Sequence, residues 1–486
     1  MGRTIASPGG RASSALPILA VALALAAWTG CASPQPARTA DTPNIVLLMA
    51  DDLGWTDTGA YGSSYYETPN IDRLAREGLR FTDAYANPNC APTRAALLTG
   101  RYSPRTGIYT VDTGERGLAK FRKMIPAPNV TNLPLSEVTF GEALQLAGYA
   151  TAVMGKWHMG TGEFAPEKQG FDFNVGGNQT GSPKGGYFAP WDNPQMPTDA
   201  PKGQHLADRL AAEAVKWMTL NRERPFLLYL PFYSVHSPIQ GKADLVTKYE
   251  AKEPVGGHRN PTYAAMVETL DSAIGQVLTA LDDLDLTRDT VVIFYSDNGG
   301  VGGYAEAGVE ANLEVTSNAP LRGGKGMLYE GGVRVPLIVR YPGVTPPGSV
   351  TGEPVMCVDL FPTLLDIVRT PGPMDREIDG VSFYSALRDG HRDRPRGPIY
   401  WHFPGYLEGR REVGAWRTTP AGAIRENNYK LIEFFETGEV ELYNLTEDIS
   451  ERQNLAEVDR PRAEEMRNKL AEWRRLTNAP MPQPQP

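Results

Sequence analysis

Cysteine is scarce in this chain, which has only three in 486 residues, at Cys31, Cys90 and Cys357. So few cysteines allow one disulfide at most, which excludes a fold held together by several disulfides. Cys357 lies among apolar neighbours, which predicts a small buried residue. A Cys90–Cys357 disulfide stays open on these grounds, although the sequence around Cys90 argues against it.

Basic residues are also outnumbered by acidic ones, because the chain has 48 lysines and arginines and 57 aspartates and glutamates, for a net charge of −9. A nucleic-acid-binding surface normally needs an excess of basic residues, so this class of function is excluded. An anionic substrate is not excluded, because the local charge of a pocket decides what the pocket binds. The composition, with 41 % hydrophobic and 22 % charged residues, is ordinary for a globular protein.

Long apolar runs are missing beyond the N-terminus, so no later segment is expected to cross a membrane. One short run, residues 15–28, follows two arginines and is typical of a secretory signal. It is followed by Gly-Cys at Cys31, which resembles a bacterial lipoprotein box. We expect residues 1–31 to be a lipoprotein-type signal peptide and residues 32–42 a tether. The protein is then exported, to the periplasm or as an outer-membrane lipoprotein, with lipid on Cys31 as its only membrane contact.

Strands alternate with helices through most of the chain. Continuous apolar runs predict buried strands, and apolar residues at helical spacing predict amphipathic helices between them. This alternation predicts one large α/β domain over residues 43–375, with helices on both faces of a sheet. The predicted strands are residues 45–50, 150–154, 226–233, 291–295 and 337–340, and the clearest helices are residues 206–220 and 266–281.

The pattern changes near residue 375, after which short strands with turns precede one charged helix at residues 460–476. We expect residues 376–480 to form a smaller α+β subdomain with a short antiparallel sheet and a helix. Residues 481–486 are rich in proline and glutamine, which predicts a frayed tail.

Acidic residues follow two of the predicted strands. Asp51 and Asp52 come after the first strand, and Asp297 and Asn298 come after a later one. Each pair alone would be interpreted as a turn or a helix cap. Ligands of α/β sheets bind at the carboxyl ends of the strands, where these four side chains can converge. Three carboxylates and an amide carbonyl form an oxygen-only site that suits Ca²⁺ or Mg²⁺ and does not suit zinc.

The next motif is Cys-Ala-Pro-Thr-Arg at residues 90–94, followed by Leu-Thr-Gly-Arg at residues 98–101. It resembles the signature of the sulfatase family, Cys-x-Pro-x-Arg. In that family a maturation enzyme oxidises the cysteine to formylglycine, whose hydrate is the nucleophile. The resemblance implies that Cys90 is the precursor of formylglycine and that a formylglycine-generating enzyme is a partner of this chain.

Four further segments follow the order of the same family. Gly-Lys-Trp-His-Met-Gly at residues 155–160 and Val-His-Ser-Pro at 235–238 resemble two of its motifs. Residues 318–325 and 330–336 resemble its Arg-Gly-Gly-Lys and Glu-Gly-Gly-x-Arg-x-Pro blocks. The resemblance spans roughly residues 43–455. It implies an alkaline-phosphatase-like fold, in which helices sandwich a large mixed sheet.

The resemblance implies that six residues are catalytic: Cys90, Arg94, Lys156, His158, His236 and Lys325. The hydrate at position 90 attacks sulfur, activated by the metal and held by Arg94. Lys156 and Lys325 oppose the charge of the sulfuryl oxygens. Substrate contacts are then expected from Lys156, His236 and Lys325. One Ca²⁺, preferred over Mg²⁺, has as its expected ligands Asp51, Asp52, Cys90 as formylglycine, Asp297 and Asn298.

The two histidines of these motifs, His158 and His236, are expected to transfer protons. By resemblance His236, with Lys325, protonates the leaving oxygen. His158 then deprotonates the second hydroxyl at position 90, which expels sulfate. A serine or cysteine at that position would remain as a stable ester, because it has no second hydroxyl.

The other four histidines belong to none of these motifs. His205, His258 and His391 lie in polar or loop segments and are predicted to be on the surface. His402 lies in the C-terminal subdomain, which can border the substrate pocket, so it is a candidate substrate contact.

The sequence therefore predicts a sulfatase that acts on sulfated carbohydrate derived from polysaccharides, with activity on aryl sulfates following from the chemistry. A phosphodiesterase or phosphonate monoester hydrolase of the same superfamily is one alternative, because it can share the formylglycine and the metal site. A catalytically inactive glycan-binding lipoprotein is a second, and a Ca²⁺-dependent structural protein is a third. Lys156, His158 and Lys325 together favour the sulfatase.

Overall fold

A nine-stranded mixed sheet forms the centre of the computed structural model, which describes residues 42–305, 309, 315–373 and 375–485. Its strands are β1 (Asn44–Ala50), β2 (Leu79–Tyr85), β4 (Ala150–Met154), β5 (Phe173–Val175), β6 (Phe226–Pro231), β7 (Thr290–Ser296), β8 (Arg334–Arg340), β9 (Ser349–Thr351) and β10 (Val355–Met356), and a short β3 (Met124–Ile125) lies outside the sheet. The spatial order is β10-β2-β8-β7-β1-β6-β4-β5, with β9 paired to β2.

All pairings in this sheet are parallel except those of β8, which runs antiparallel to both β2 and β7. Within the parallel part, β1 lies between β6 and β7, with Ile45 opposite both Leu227 and Val291. The carboxyl ends of β1, β4, β6 and β7 therefore meet at one edge of the sheet.

Helices cover both faces of the sheet. The seven residues of β1 are all buried, and successive side chains point to opposite faces. The helices are α1 (Pro69–Glu77), α2 (Cys90–Thr99), α3 (Ser103–Thr106), α4 (Phe140–Leu146), α5 (Leu206–Asn221), α6 (Ala243–Glu250), α7 (Pro261–Asp283), α8 (Glu330–Val333), α9 (Leu360–Val368), α10 (Tyr384–Asp389) and α11 (Arg460–Leu476). Ile45 packs in a hydrophobic cluster with α2, α4 and α9, whereas Val46 packs with α1, α5 and α7. The predicted sandwich of helices around a large sheet is thus confirmed.

The C-terminal part of the chain forms a four-stranded antiparallel sheet in the order β11, β14, β15, β16, with α11 packed against β14 and β15. A separate hairpin joins β12 to β13. The short antiparallel sheet and the helix that the sequence predicts are both present, while the predicted boundary at residue 375 stays a prediction. These strands are β11 (Ile399–Phe403), β12 (Leu407–Arg410), β13 (Ala415–Thr418), β14 (Ala421–Glu426), β15 (Tyr429–Phe434) and β16 (Val440–Asn444).

The predicted fraying of the tail, residues 481–486, is wrong for the part that the structure describes. Residues Gln483–Pro484 form β17, which pairs antiparallel with β3. Just before it, the carbonyl oxygen of Pro480 lies 2.8 Å from Nε2 of His402. The composition of the tail does not indicate these contacts, because both depend on segments far away in sequence.

Two of the three histidines predicted to be on the surface are buried. His205 is 2 % exposed, accepts a hydrogen bond from the Ala207 N–H at the start of α5, and stacks on Tyr187. His258 is 5 % exposed and stacks on Tyr66. Only His391 is exposed as predicted. The prediction of surface exposure relied on polar sequence neighbours. It was wrong for His205 and His258 because tertiary contacts cover both rings.

Cys90 and Cys357 are both free and buried, so the disulfide that the sequence left open does not form. Cys357 is 1 % exposed, as its apolar neighbours predict. The predicted signal peptide, Cys31 and all of the predicted tether before Thr42 lie outside the described residues. Among the helices of the described part, none has both the length and the apolar character needed to cross a bilayer.

Candidate active site

The register of the central strands brings the predicted site residues to one edge of the sheet. Ala50 of β1 lies opposite Ser296 of β7, so Asp51 and Asp297 leave the sheet side by side. The backbone continues this contact, because the Asp297 N–H donates to the Ala50 carbonyl. The Lys156 N–H likewise donates to Pro231, at the end of β6, over 2.7 Å. Four segments that are distant in sequence thus converge by strand pairing.

Cys90 is the first residue of α2 and points into this edge. Its Sγ lies 3.5 Å from Oδ1 of Asp51 and 3.9 Å from Oδ1 of Asp52, and the residue is 1 % exposed. Burial, together with the nearby Asp297 carboxylate, raises the pKa of the Cys90 thiol. An unmodified thiol at this position therefore stays protonated and is a weak nucleophile.

Three buried carboxylates each have a cationic partner. Lys156 Nζ lies 2.6 Å from Oδ2 of Asp51, and Arg94 Nη2 lies 2.7 Å from Oδ2 of Asp297. Lys325 Nζ lies 2.7 Å from Oδ1 and 2.8 Å from Oδ2 of Asp52. Removing one partner of a buried pair leaves a charge without compensation, so these six groups depend on one another.

The carboxylates of the cluster differ in acidity. Burial on its own raises the pKa of Asp52, but the positive charge of Lys325 outweighs it and lowers the pKa below its usual value. Burial, then repulsion by Asp51, raises the pKa of Asp297 to about 6. A cation bound next to Asp297 would lower this pKa and favour the ionised carboxylate.

The donor atoms of the cluster fit a hard cation. Asn298 donates through Nδ2 to Asp52 Oδ1 over 2.8 Å, so its Oδ1 faces the other way. That oxygen is buried and has no hydrogen-bond partner among the described residues. An unpartnered buried acceptor beside three carboxylates is the arrangement expected of a Ca²⁺ ligand. Atoms of Asp51, Asp52, Cys90 and His236 also lie within 4.8 Å of one another.

His236 lies at the opening of the cluster. Its side chain is 17 % exposed, and its Nε2 is 3.7 Å from Oδ2 of Asp52. Nδ1 lies 2.7 Å from the carbonyl oxygen of Ser237, which can only accept, so Nδ1 carries a proton. Burial, followed by the charge of Lys325, lowers the pKa of His236 to about 3. Nε2 of the neutral ring therefore carries no proton and is free to accept one next to Asp52.

His158 has an unusual backbone conformation and a neutral ring. Its backbone is in the left-handed region, with φ of 65°, and its Nδ1 is buried without a partner among the described residues. Burial, then the charge of Lys156, lowers the pKa of His158 well below its usual value, so the ring is neutral. A Cβ at Gly181 would lie 2.4 Å from Cε1 of His158, so only glycine fits beside the ring.

The predicted substrate contact at His402 is not brought to this cluster. The residue is 5 % exposed, and its ring contacts are Tyr109 and Phe435. Its Nε2 faces Pro480, as described for the tail. His402 is thus buried between Tyr109 and the C-terminal part of the chain, which leaves little of its surface to meet a substrate.

A supporting network beside Asp52 was missed by the sequence interpretation. The Asp57 carboxylate accepts hydrogen bonds from the Gly54 N–H, the Tyr263 hydroxyl and the Thr316 hydroxyl, over 2.9, 2.6 and 2.7 Å. It thereby fixes the turn that holds Asp52 at a left-handed φ of 64°. Asp57 follows the Asp51-Asp52 pair closely, but nothing in the sequence marks residues 263 and 316 as its partners.

Two family models match the chain. The model described as Sulfatase matches residues 43–370, and the model described as N-sulphoglucosamine sulphohydrolase, C-terminal, matches residues 324–478. A protein of Formosa agariphila named Sulfatase is 37 % identical over 528 residues, covering 92 % of each chain. N-acetylgalactosamine-6-sulfatase of Rattus norvegicus is 35 % identical over 405 residues, covering 78 % of this chain and 70 % of that one.

Solved structures show the same architecture. Ps i-CgsB in complex with k-i-k-neocarrahexaose is 28 % identical with a TM-score of 0.72, and the match covers 89 % of this chain and 92 % of that one. Phosphonate monoester hydrolase of Agrobacterium radiobacter shares the fold, with a TM-score of 0.65 at 19 % identity over 90 % of this chain and 96 % of that one. The Sulfatase model includes every residue of the cluster, from Asp51 to Lys325. The chain therefore belongs to the sulfatase family and is a sulfatase.

Proposed function

We propose that this sulfatase hydrolyses sulfate esters of carbohydrates, with formylglycine at position 90 as nucleophile and one Ca²⁺ as cofactor. The observation that carries the proposal is the position of Cys90. Its buried Sγ lies within 3.5 to 3.9 Å of two carboxylates, in a cluster that holds three cationic side chains. A sulfuryl group bound there would lie next to both the nucleophile and the positive charges that compensate its own negative charge.

Conversion of Cys90 to formylglycine would give this position a nucleophile that the unmodified thiol does not provide. The raised pKa of the thiol makes it a weak nucleophile in this setting. As formylglycine hydrate, residue 90 would supply one hydroxyl to attack sulfur and a second hydroxyl through which sulfate is released. Arg94 lies one helical turn further along α2 and would keep its guanidinium close to that position.

Asp51, Asp52, Asp297 and Asn298 would hold the cation, together with residue 90. When bound, Ca²⁺ would supply positive charge against the sulfuryl oxygens and favour ionisation of the attacking hydroxyl. The buried Oδ1 of Asn298 supports this assignment, because it has no hydrogen-bond partner among the described residues. An oxygen-rich donor set also favours Ca²⁺ or Mg²⁺ over zinc.

The remaining residues bind charge and move protons. Burial alone lowers the pKa of Lys325, but the Asp52 carboxylate outweighs it and raises the pKa, so this side chain stays cationic and can face the sulfuryl group. Lys156 has the same balance with Asp51, which raises its pKa. Lys325, which stays cationic, and His236, once it is protonated at Nε2, would give a proton to the leaving oxygen. His158, which is neutral, is placed to accept one from position 90.

A carbohydrate substrate is supported by the relatives and by a neighbouring cavity. Relatives include N-acetylgalactosamine-6-sulfatase, and one solved structure carries k-i-k-neocarrahexaose. A cavity of about 370 Å³ adjoins the segment that carries Lys325, since Gly323 and Met327 line it. Trp416 and Arg417 also line this cavity. Aromatic rings and guanidinium groups suit the apolar faces of sugars and their sulfate groups.

We also propose that the protein is exported, to the periplasm or as a lipoprotein of the outer membrane. This rests on the apolar segment at residues 15–28 and on Cys31. Mass spectrometry of the mature N-terminus tests it, because an N-terminus upstream of residue 31 in cell-envelope material would contradict processing at this cysteine.

Two measurements test the catalytic proposal. The protein is produced together with a formylglycine-generating enzyme, and the peptide that contains residue 90 is analysed by mass spectrometry. We expect the aldehyde or its hydrate, and finding thiol alone would remove the proposed nucleophile. Turnover of an aryl sulfate is then compared with turnover of an aryl phosphodiester and a phosphonate monoester. A strong preference for either phosphorus substrate would favour the phosphonate monoester hydrolase alternative.

A further inference from the structure

The segment that carries Lys325 has little structure of its own. Residues 322–329 form neither helix nor strand. Three of the four residues nearest to Lys325 in the chain are Gly323, Gly324 and Gly326, and glycine restricts the backbone least of all residues. Yet Lys325 must hold its Nζ within 2.8 Å of both oxygens of Asp52. Other parts of the molecule therefore have to fix this segment.

On its N-terminal side the segment is held through Arg322. Nη1 of Arg322 donates to the Tyr443 hydroxyl over 3.0 Å and to the carbonyl oxygen of Glu451 over 3.1 Å. The guanidinium also lies 3.9 Å from the ring centroid of Tyr329. Glu441 accepts hydrogen bonds from both tyrosine hydroxyls, over 2.8 and 2.9 Å, which fixes the two rings.

On its C-terminal side the segment is held through Glu330. The Glu330 N–H donates to Oε2 of Glu451 over 2.7 Å. The Glu330 carboxylate pairs with Lys430 Nζ over 2.9 Å, and Lys430 lies 3.0 Å from Oε1 of Glu451. All three side chains are completely buried.

Glu451 contacts both ends of the segment. Its backbone carbonyl accepts a hydrogen bond from Arg322, and its carboxylate accepts one from the Glu330 N–H and forms an ion pair with Lys430. Lys430 belongs to β15 and Tyr443 to β16, so the C-terminal sheet holds both ends of the segment. We call the set Arg322, Glu330, Lys430, Tyr443 and Glu451 the Lys325 clamp.

Stability alone is a poor explanation for the clamp. Burying two carboxylates and a lysine costs desolvation energy that their attraction only partly returns, and apolar residues often replace such groups without loss. A buried polar network, in contrast, admits few geometries, because every group must keep its partners. The clamp therefore fixes the two ends of the segment, at Arg322 and Glu330. Between them, the Lys325 N–H donates to the Gly300 carbonyl over 2.9 Å, and the Lys325 carbonyl accepts from the Tyr304 hydroxyl over 3.0 Å.

We propose that Lys430, Tyr443 and Glu451 are positioning residues of the sulfatase site, which act by fixing Lys325. The inference rests on the proposed role of Lys325 in opposing the sulfuryl charge. It gives the C-terminal sheet a part in catalysis although none of the three residues belongs to the cluster around Cys90.

The first test compares two clamp variants with a matched control. Tyr443→Phe removes one hydroxyl, and Glu451→Gln replaces one carboxyl group with an amide. Glu433→Gln is the control, because Glu433 is also a nearly buried carboxylate of β15, and its ion-pair partners among the described residues, Arg467 and Arg474 of α11, lie outside the segment. We expect kcat on an aryl sulfate to fall about tenfold in the clamp variants of folded protein, and to stay at the wild-type value in the control.

A double-mutant cycle decides whether the loss passes through Lys325. Lys325→Met lowers kcat/KM by itself, and the clamp variants should then cost little more, because their target is gone. A tenfold loss that is retained in full in the Lys325→Met background would overturn the proposal. Equal losses in the clamp variants and in Glu433→Gln would also overturn it, since they would indicate general destabilisation.

The second test needs no sulfatase activity. Amine labelling with acetic anhydride is followed by peptide mass spectrometry, with exposed Lys120 as the internal reference. We expect Lys325 to be labelled several-fold faster in both clamp variants and at the wild-type rate in Glu433→Gln. Wild-type labelling of Lys325 in the clamp variants would overturn the proposal. Wild-type protein that contains formylglycine and fails to cleave aryl sulfate would overturn the proposed function alone.

Discussion

At Cys90, burial and neighbouring charge both act against a free thiolate. The thiol is 1 % exposed and faces two carboxylates, so it cannot ionise easily. Cys357 is equally buried and free, but it lies among apolar side chains of the core. The two cysteines therefore allow a comparison between the position of the proposed nucleophile and a position that serves packing.

Replacing these cysteines one at a time separates the two roles. Cys90→Ala should lower kcat on an aryl sulfate by about three orders of magnitude or more, because the nucleophile is lost. Cys357→Ala should keep kcat and lose about 1 kcal/mol of unfolding free energy from the small space left behind. Steady-state kinetics and urea unfolding of both variants check this. Loss of folding in Cys90→Ala would indicate a structural role for that residue.

Asn298 should contribute to cation affinity and little to substrate chemistry. Its Oδ1 is a buried acceptor without a partner among the described residues, while its Nδ2 is already used by Asp52. Asn298→Ala should therefore weaken Ca²⁺ binding about tenfold or more, measured by calorimetry on protein stripped of metal. Saturating Ca²⁺ should restore much of the lost turnover. Unchanged Ca²⁺ affinity would remove Asn298 from the ligand set.

Gly181 leaves just enough space for His158. A methyl group at Gly181 would approach the imidazole to 2.4 Å, so Gly181→Ala should displace the ring and lower kcat about tenfold. Gly352→Ala is the matched control, because its new methyl group would meet nothing closer than 3.6 Å. Equal kinetics of the two variants would show that the position of His158 does not limit turnover.

Among the elements, helix α1 is held to α7 by a buried carboxylate. Asp271 of α7 accepts hydrogen bonds from the backbone N–H groups of Asn70 and Ile71, over 3.0 and 2.8 Å, in the first turn of α1. Such N–H groups have no partner within their own helix, so Asp271 satisfies them. Burial nevertheless raises the pKa of Asp271 to about 6.

This shift predicts how stability changes with pH. An acid with a higher pKa in the folded state binds its proton more tightly there, so the unfolding free energy falls as pH rises from about 4 to about 6. The contribution of Asp271 to this fall is about 3 kcal/mol at most. Asp271→Asn should flatten the pH dependence over that range, measured by urea unfolding at several pH values. Parallel curves for wild type and variant would contradict the shift.

Local patterns predicted most elements, because burial on both faces leaves a continuous apolar run and helical packing leaves a periodic one. The last helix, for example, occupies residues Arg460–Leu476, as its pattern predicts. The sequence did not predict β17, which exists only through its pairing with β3. It also failed for His205 and His258, whose burial depends on residues that local polarity does not indicate.

The cluster around Cys90 was predictable for a related reason. Its acidic residues follow apolar strands directly, and parallel strands bring such positions together at one edge. The network that supports it was not predictable, since Asp57 and Tyr263 are 206 residues apart in the chain. Motifs indicate which side chains form the cluster, whereas the contacts that orient those side chains depend on how distant segments pack.

On the scale of the whole molecule, the C-terminal sheet is joined to the central sheet by buried polar contacts. Trp401, 1 % exposed, donates from its indole N–H to the Ala86 carbonyl over 2.8 Å. Arg425 of β14 pairs with Asp83 of β2 over 2.7 Å. Taking away the C-terminal part would leave these groups and the surfaces around them without partners.

A chain that ends at residue 375 should therefore fail to fold as an active enzyme. We expect it to be insoluble, or to lack cooperative unfolding, because it exposes apolar and charged groups that are buried in the full chain. Solubility and thermal unfolding followed by circular dichroism check this. A soluble fragment with a cooperative transition would show that residues up to 375 form an independent domain.

The pairing of three carboxylates with three cations also bears on what happens after the reaction. Asp51, Asp52 and Asp297 balance Arg94, Lys156 and Lys325 in formal charge, so a bound Ca²⁺ leaves a surplus of two positive charges. A sulfate monoester carries one negative charge, and inorganic sulfate carries two. The released product thus compensates the occupied site more completely than the substrate does. Free sulfate is accordingly expected to compete with the ester and to slow the enzyme as it accumulates.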